Sequence, residues 1–177
     1  AGTWRVRASL MTAIEDIDGA THSLVQARAL AERLAAKAAG REAPARFLVH
    51  TLLDQADHAL RRLAFATAHD AAEKARTVAE AFAYASKMGS WYGECGACWD
   101  RVGEAARFSG QAPRAQDAFA RAAEFRRMAR DADPEDRRAL HALTAALIKY
   151  GEASLDARAP QTARTAFNEC ANLRLKI

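Results

Sequence analysis

Apolar side chains recur at helical spacing along this chain, between short segments rich in Gly, Pro, Asp and Ser. One apolar stripe runs from Phe47 to Ala64 and another from Ala115 to Met128, each at steps of three and four residues. This spacing places the apolar residues on one face of an α-helix. Because runs rich in Val, Ile, Thr and aromatic residues are absent, the pattern predicts an all-α protein.

The breaks between the stripes predict about eight helices. Only four prolines and nine glycines occur in 177 residues, and Ala, Leu, Arg and Glu, which lose little on entering a helix, are common. Asp133 before Pro134 is a candidate N-cap. Short connections make sequential helices antiparallel neighbours. The predicted helices cover 3–17, 20–39, 45–66, 68–88, 91–108, 112–132, 134–156 and 160–175.

Two stretches near the C-terminal end align with each other. CWDRVGEAARFSGQAPRAQDAFARAAEF begins at Cys98, and ALIKYGEASLDARAPQTARTAFNECANL begins at Ala146. Small and aromatic residues recur in them 48 residues apart, in the pairs Gly103 and Gly151, Ala115 and Ala163, and Phe119 and Phe167. The glycines and alanines let two helices approach closely, and the aromatic residues fill the space around that contact. A hairpin of this kind leaves an apolar face that a neighbouring hairpin must cover.

This pattern resembles the tetratricopeptide repeat, a 34-residue helix-turn-helix unit. The copy at 96–129 carries the residue types of that family at Trp99, Val102, Gly103, Ala106, Gly110, Ala115, Phe119 and Ala122. The copy at 144–177 carries Leu147, Tyr150, Gly151, Ser154, Arg158, Ala163, Phe167 and Cys170, with Ser154 and Arg158 as departures. Residues 130–143 are an insertion, interpreted as longer helices around Pro134.

The resemblance implies one domain over 1–177, built as stacked antiparallel hairpins in a short right-handed solenoid. Residues 1–90 are expected to form degenerate hairpins, without the helix glycine in 45–66, and residues 91–177 two recognisable repeats. The last repeat ends without a separate polar capping helix, so its outer face is expected to be open to a further repeat, a dimer contact or a partner.

In this family the inner face of the first helix of each repeat binds peptides. The resemblance therefore implies a non-catalytic protein-interaction or scaffold function. Its groove would use Asp100, Glu104, Arg107, Phe108, Ile148, Glu152, Leu155 and Asp156. The acids among them oppose an acidic tail, so a basic or amphipathic peptide or helix is the expected partner.

The Cys-x-x-Cys pair of Cys95 and Cys98 suggests two other functions. A redox dithiol needs a cysteine at a helix N-terminus, where the dipole lowers its pKa, but Cys95 is expected one turn inside its helix. A zinc site needs further ligands at close spacing, and no second Cys-x-x-Cys exists. Helix packing is the favoured interpretation, and Cys170 is read as a small core residue. A thiol redox or metal-binding protein is the less favoured alternative.

The remaining features allow further expectations. Asp54 and His58 stand at i, i+4 and are read as a surface pair. The run Arg121, Arg126, Arg127, Arg130, Arg137 and Arg138 is interleaved with acids, so an ion-paired face is expected, and nucleic-acid binding is not favoured. Motifs of phosphate loops, serine hydrolases and zinc proteases are absent, which predicts no catalysis and no cofactor.

Several expectations concern the setting of the chain. No apolar run approaches the roughly 18 residues of a membrane span, and a cytoplasmic location is expected. A homodimer through the C-terminal hairpin is one possible assembly. The second functional hypothesis is a regulatory helical domain of a larger enzyme or transcription regulator.

Overall fold

A computed structural model describes residues 2–13 and 16–175, and every regular element in these ranges is an α-helix. The predicted all-α class is thereby confirmed for the described part of the chain, as is the number of eight helices. The predicted first helix crosses residues 14 and 15, and the predicted last repeat includes 176 and 177, all of which lie outside the described residues. The helices are α1 Gly2–Ala13, α2 Ile17–Lys37, α3 Glu42–Arg61, α4 Phe65–Ser86, α5 Gly89–Phe108, α6 Ala112–Ala132, α7 Arg137–Asp156 and α8 Pro160–Arg174.

Two helices begin at a residue different from the one that the sequence predicted. Helix α2 begins at Ile17 rather than at residue 20, and the Asp16 carboxylate accepts a hydrogen bond from the Gly19 N–H at 2.9 Å. The prediction of Asp133 as the N-cap of α7 is wrong, because Asp136 accepts from the Arg138 N–H at 2.8 Å and Pro134 lies in the preceding turn. Several aspartates stand within a few residues of each start, so residue type alone did not distinguish the cap.

The same tight turn ends α3, α5 and α7. Its central residue has a left-handed backbone, with φ of 58° at Leu63, 74° at Gly110 and 58° at Arg158. In each turn the next residue donates its N–H to a carbonyl five residues earlier, which satisfies the end of the helix. These bonds run from Ala64 to Ala59 at 2.9 Å, from Gln111 to Ala106 at 2.9 Å and from Ala159 to Ser154 at 2.8 Å.

This turn fixes a common register for three hairpins. The central residues follow one another after 47 and 48 residues, so the recurrence seen from Cys98 onward extends back into α3 and α4. The predicted break between the helices 45–66 and 68–88 is misplaced, because α3 ends at Arg61 and α4 begins at Phe65. The turn was missed because Leu63, rather than a glycine, takes the left-handed conformation.

Gly103 and Gly151 each lie against an aromatic ring of the following helix. A Cβ at position 103 would meet the Phe119 ring at 2.8 Å, and one at position 151 would meet the Phe167 ring more closely still. Both glycines stand seven residues before their turn residue, and both phenylalanines nine residues after it. The close approach of ring to backbone therefore explains why these helices carry glycine.

Consecutive helices pack against each other, and α5 also contacts α3 and α7. The largest apolar cluster joins α3, α4 and α5 with one buried residue each of α2 and α6. It contains Trp91, whose side chain is fully buried and stacks on Phe82 with ring centroids 4.8 Å apart. Trp99 packs on α4 rather than around Gly103, as its indole N–H donates to Glu80 at 2.9 Å and Arg76 lies over its ring. Helices α3, α5 and α7 are thus held side by side.

Candidate binding groove

Ion pairs connect the odd-numbered helices to one another. A charged side chain of one such helix reaches a partner 44 to 49 residues away on the next. The pairs are Arg5 with Asp54, Asp57 with Arg101, Glu104 with Lys149 at 2.7 Å, and Arg107 with Glu152 and Asp156, both at 2.8 Å. Helices α1, α3, α5 and α7 therefore share a surface on which the charges of these ion pairs neutralise each other.

Two depressions adjoin on this surface, and together we call them the groove. The first, of about 440 Å³, lies among α1, α2 and α3, and the second, of about 580 Å³, lies among α3, α5 and α7. Asp57 and Arg61 line both depressions, so the two meet at the C-terminal half of α3. Their apolar lining includes Val6 and Leu24 in the first depression and Leu60 and Phe108 in the second.

Asp100 is buried, although the sequence predicted it as an exposed residue of the groove. It is only 7% exposed, with its carboxylate 3.5 Å from an Arg126 nitrogen and 3.9 Å from Lys149 Nζ. Burial raises the pKa of this carboxyl, and the charges of Lys149 and Arg126 oppose that rise. Helices α6 and α7 supply these covering cations, so Asp100 is an interior group of the helix junction.

The other predicted acids are near the surface but already have cationic partners. Glu104 lines the groove and accepts from Lys149, while Glu152 and Asp156 accept from Arg107. The hydrogen bond that Arg107 donates to Glu152 is the largest of the effects that raise the pKa of Arg107. Because these carboxylates are paired within the protein, they do not present free negative charge to a basic partner.

The three apolar residues of the predicted set occupy different surroundings. Phe108 lines the second depression, is 61% exposed and stacks on Phe65 with ring centroids 6.0 Å apart. Leu155 is 52% exposed but is not among the residues that line the two depressions. Ile148 is half-buried against the α7–α8 cluster. The structure therefore brings Glu104 and Phe108 together, without Leu155 and Ile148.

The groove contains residues that the sequence reasoning missed. These are Val6, Asp57, Arg61, Arg101 and Lys149. Burial alone would lower the pKa of Arg101. The hydrogen bonds that Arg101 donates to Asp57, together with the nearby carboxylate charges, of which that of Asp57 has the largest effect, raise that pKa instead. The sequence did contain a signal for these contacts, namely opposite charges separated by nearly the 47–48 residues of the repeat. Asp57 and Arg101 are 44 residues apart, and Glu104 and Lys149 are 45 residues apart.

Asp54 and His58 have partners on other helices instead of each other. Asp54 pairs with Arg5 of α1, and His58 Nε2 lies 2.8 Å from Thr21 Oγ1 of α2. Burial lowers the pKa of His58, and the charges of Arg62 and Arg61 lower it further. The predicted surface pair is therefore replaced by contacts between helices.

Cys95 and Cys98 are both fully buried free thiols within α5. Burial, with the charges of Glu80 and Glu94, raises the pKa of Cys95 to about 12. Burial and the neighbouring Cys95 raise the pKa of Cys98 well above its usual range. Since the thiolate is the reactive species, these surroundings disfavour redox chemistry. Among residues 2–13 and 16–175, no group of three or more His, Cys, Asp and Glu is placed to hold a metal ion.

The arginine run of α6 and α7 is largely ion-paired, as its interleaved acids predicted. Four of its members pair with acids, namely Arg121 with Glu124, Arg126 with Asp100, Arg127 with Glu169 and Arg130 with Asp131. This surface lacks the concentrated free positive charge that typifies nucleic-acid binding.

Exposed apolar side chains are more frequent in the N-terminal hairpin than in the C-terminal one. Val6, Leu10, Ile17 and Val25 of α1 and α2 are each about half exposed or more, whereas the described outer surface of α8 is mainly polar. The expected C-terminal dimer stays a prediction without an apolar face on α8 to favour it.

Within the described ranges, none of the helices has the length and apolar character needed to cross a bilayer. Comparison of the chain with protein-family models, with curated proteins and with solved structures finds no match in any of the three.

Proposed function

We propose that the chain is a non-catalytic interaction module that binds an amphipathic peptide or helical segment of another protein in the groove. The observation that carries this proposal is Phe108, a large aromatic side chain left 61% exposed in a depression whose charged lining, apart from Arg61, is internally paired. Aromatic residues in such surroundings are frequent anchors of protein interfaces. Apolar contact, rather than the acids of the groove, then supplies the affinity.

The proposed architecture is a right-handed solenoid of helical hairpins similar to tetratricopeptide repeats. Support comes from the turn shared by Leu63, Gly110 and Arg158 and from the packing of α5 on α3, α4, α6 and α7. The unit is longer than 34 residues because helices α3 to α7 have 20 to 22 residues each. The expected insertion at 130–143 corresponds to the end of α6, the turn at 133–136 and the start of α7.

The test compares proteins captured from cell extract by the unmodified chain and by Phe108→Ser. Tyr84→Ser is the matched control, because Tyr84 on α4 is equally exposed, at 66%, and does not line the groove. We expect Phe108→Ser to lose specific partners by mass spectrometry and Tyr84→Ser to keep them. Equal capture by both variants would remove the groove assignment. Charge reversal at Glu104 or Glu152 is a poorer probe, because it also breaks pairs with Lys149 or Arg107.

A further inference from the structure

Arg61 stands at the place where the two depressions of the groove meet. It belongs to the last turn of α3, its side chain is exposed, and it lines both depressions. Asp57, one turn earlier, shares this position but is engaged by two nitrogens of Arg101. The junction therefore presents the guanidinium of Arg61 to whatever lies along the groove.

The positive charge of Arg61 is not compensated within the described residues. The other cations that line the groove have acidic partners, since Arg5 pairs with Asp54, Arg101 with Asp57, and Lys149 with Glu104. Arg61 makes no ion pair with any residue in 2–13 or 16–175. The depressed pKa of neighbouring His58, caused first by burial and then by Arg62 and Arg61, is consistent with locally positive surroundings.

Apolar side chains lie on both sides of this cation. Val6, 61% exposed, lies in the first depression beside the buried Leu24, and the exposed Phe108 and half-buried Leu60 lie in the second. A segment that crosses the junction meets apolar surface, then one free positive charge, then apolar surface again. This order specifies a complementary ligand more narrowly than the overall charge of the protein.

We propose that the groove selects a peptide segment in which one Asp or Glu stands between apolar residues, with Arg61 as the residue that binds its carboxylate. This inference depends on the groove being the binding surface proposed above. An arginine–carboxylate contact forms charge-assisted hydrogen bonds, which are stronger than neutral ones. The chemistry differs from the basic partner expected from the sequence, because the acids that suggested such a partner are already paired.

A peptide fits this surface better than a nucleic acid does. The acids beside Arg61 already pair with the other cations of the groove, so a chain of phosphates would find only one uncompensated cation there. Binding a phosphate backbone usually requires several uncompensated Lys or Arg side chains. A single carboxylate needs only one.

The experiment selects random linear peptides, displayed on phage, against the immobilised full chain, and measures the best synthetic peptide by fluorescence anisotropy. We expect enrichment of Asp or Glu flanked on both sides by Leu, Ile or Phe. Arg61→Glu should weaken that peptide about tenfold or more, as expected for loss of a charge-assisted contact of about 1.5–3 kcal/mol. Arg61→Gln, which adds no repulsion, should weaken it by a smaller factor, and circular dichroism verifies folding of both variants.

Arg62→Glu is the matched control. This substitution changes the charge by the same amount as Arg61→Glu. Arg62, however, lines a different depression among α2, α3 and α4, where it donates a hydrogen bond to Thr21 Oγ1 at 3.0 Å. We expect the affinity for the selected peptide to change by a smaller factor than with Arg61→Glu, since Arg62 does not line the groove and would act on a bound carboxylate only through screened charge.

The outcomes separate the two proposals. If selected peptides are basic, or are insensitive to both Arg61 variants, yet are lost with Phe108→Ser, the groove binds peptides and the carboxylate assignment is wrong. If selection gives no groove-dependent peptide, both proposals fail. If an oligonucleotide displaces the peptide, or if light scattering shows a dimer that Phe108→Ser dissociates, the groove is occupied by nucleic acid or a second copy instead.

Discussion

The α5–α6 hairpin and the α3–α4 hairpin have the same register but fill the space between their helices differently. Seven residues before the shared turn, α5 has Gly103, and nine residues after it α6 has Phe119, which is 1% exposed. The equivalent residues of α3 and α4 are Ala56 and Ala72, both fully buried. One hairpin packs a ring against bare backbone, and the other places two methyl groups in one apolar cluster.

This difference shows that the helix approach, rather than the glycine, is the common feature. The Gly–Phe pair has more side-chain volume than the Ala–Ala pair, and interiors are close-packed, so other side chains must fill the space beside the two alanines. The cluster that contains both alanines also includes Val102, Ala118 and Trp99. A search for Gly and Phe therefore identifies α5–α6 and α7–α8 but not α3–α4. The N-terminal half is degenerate in sequence while it keeps the same turn and the same spacing.

The largest effect is expected when Phe119 is removed. Phe119→Ala should destabilise the protein by about 3–5 kcal/mol, as is usual for a buried phenylalanine. Gly103→Ala should lower the free energy of unfolding by about 1–3 kcal/mol through overpacking against the ring, and the higher helix propensity of Ala should offset about 1 kcal/mol of that loss. The double variant re-creates the Ala–Ala pair of α3–α4, so its loss should be smaller than the sum. Urea unfolding of all three variants measures the coupling.

Gly93→Ala is the control for this cycle. Gly93 lies in the same helix, and a Cβ there meets nothing within 4 Å. The substitution should therefore stabilise α5 by up to about 1 kcal/mol through helix propensity alone. Strict additivity of Gly103→Ala and Phe119→Ala would contradict the expected overpacking of a Cβ at position 103 against the Phe119 ring.

The sequence was sufficient for the helices because their apolar stripes repeat over many residues. Residues whose surroundings come from distant helices were harder to place. Asp100 was expected at the surface, but Arg126 and Lys149 from α6 and α7 cover it. Arg61 gave no signal at all, because its lack of a partner depends on Asp57 being engaged by Arg101, a contact between helices 44 residues apart.

A smaller effect should separate the turns of the two hairpins. Leu63 holds a left-handed backbone in which an L-residue costs about 1–2 kcal/mol, and its side chain is 72% exposed. Leu63→Gly should therefore stabilise the protein by about 0.5–1 kcal/mol after the greater flexibility of unfolded glycine is deducted. Gly110→Ala should destabilise it by about 1 kcal/mol. Thermal unfolding measures both, and a shift of the same sign in the two variants would show that the turns are not equivalent.

The smallest effect concerns the thiols of α5. Cys95 and Cys98 of α5 are equivalent in register to Leu48 and Thr51 of α3, and all four side chains are buried. At these equivalent core positions, only α5 has thiols. Burial raises the folded-state pKa of Cys95 to about 12, whereas the pKa of a cysteine thiol in the unfolded chain is about 8.5.

The sign of the pH dependence follows from this difference. Above about pH 8.5 the unfolded chain holds fewer protons than the folded one, so the stability contributed by the thiols is complete below that pH and is lost as the pH rises toward about 12. Cys95→Ala should lose less stability than the parent between about pH 8 and about pH 9, by about 0.7 kcal/mol, because only the thiol of the unfolded chain titrates in that range. Leu48→Ala is the control, because it opens the same core layer in α3 without removing a titrating group. Urea unfolding at the two pH values should give this control the same pH dependence as the parent, and an equal dependence in the thiol variant would show that the buried thiol does not contribute it.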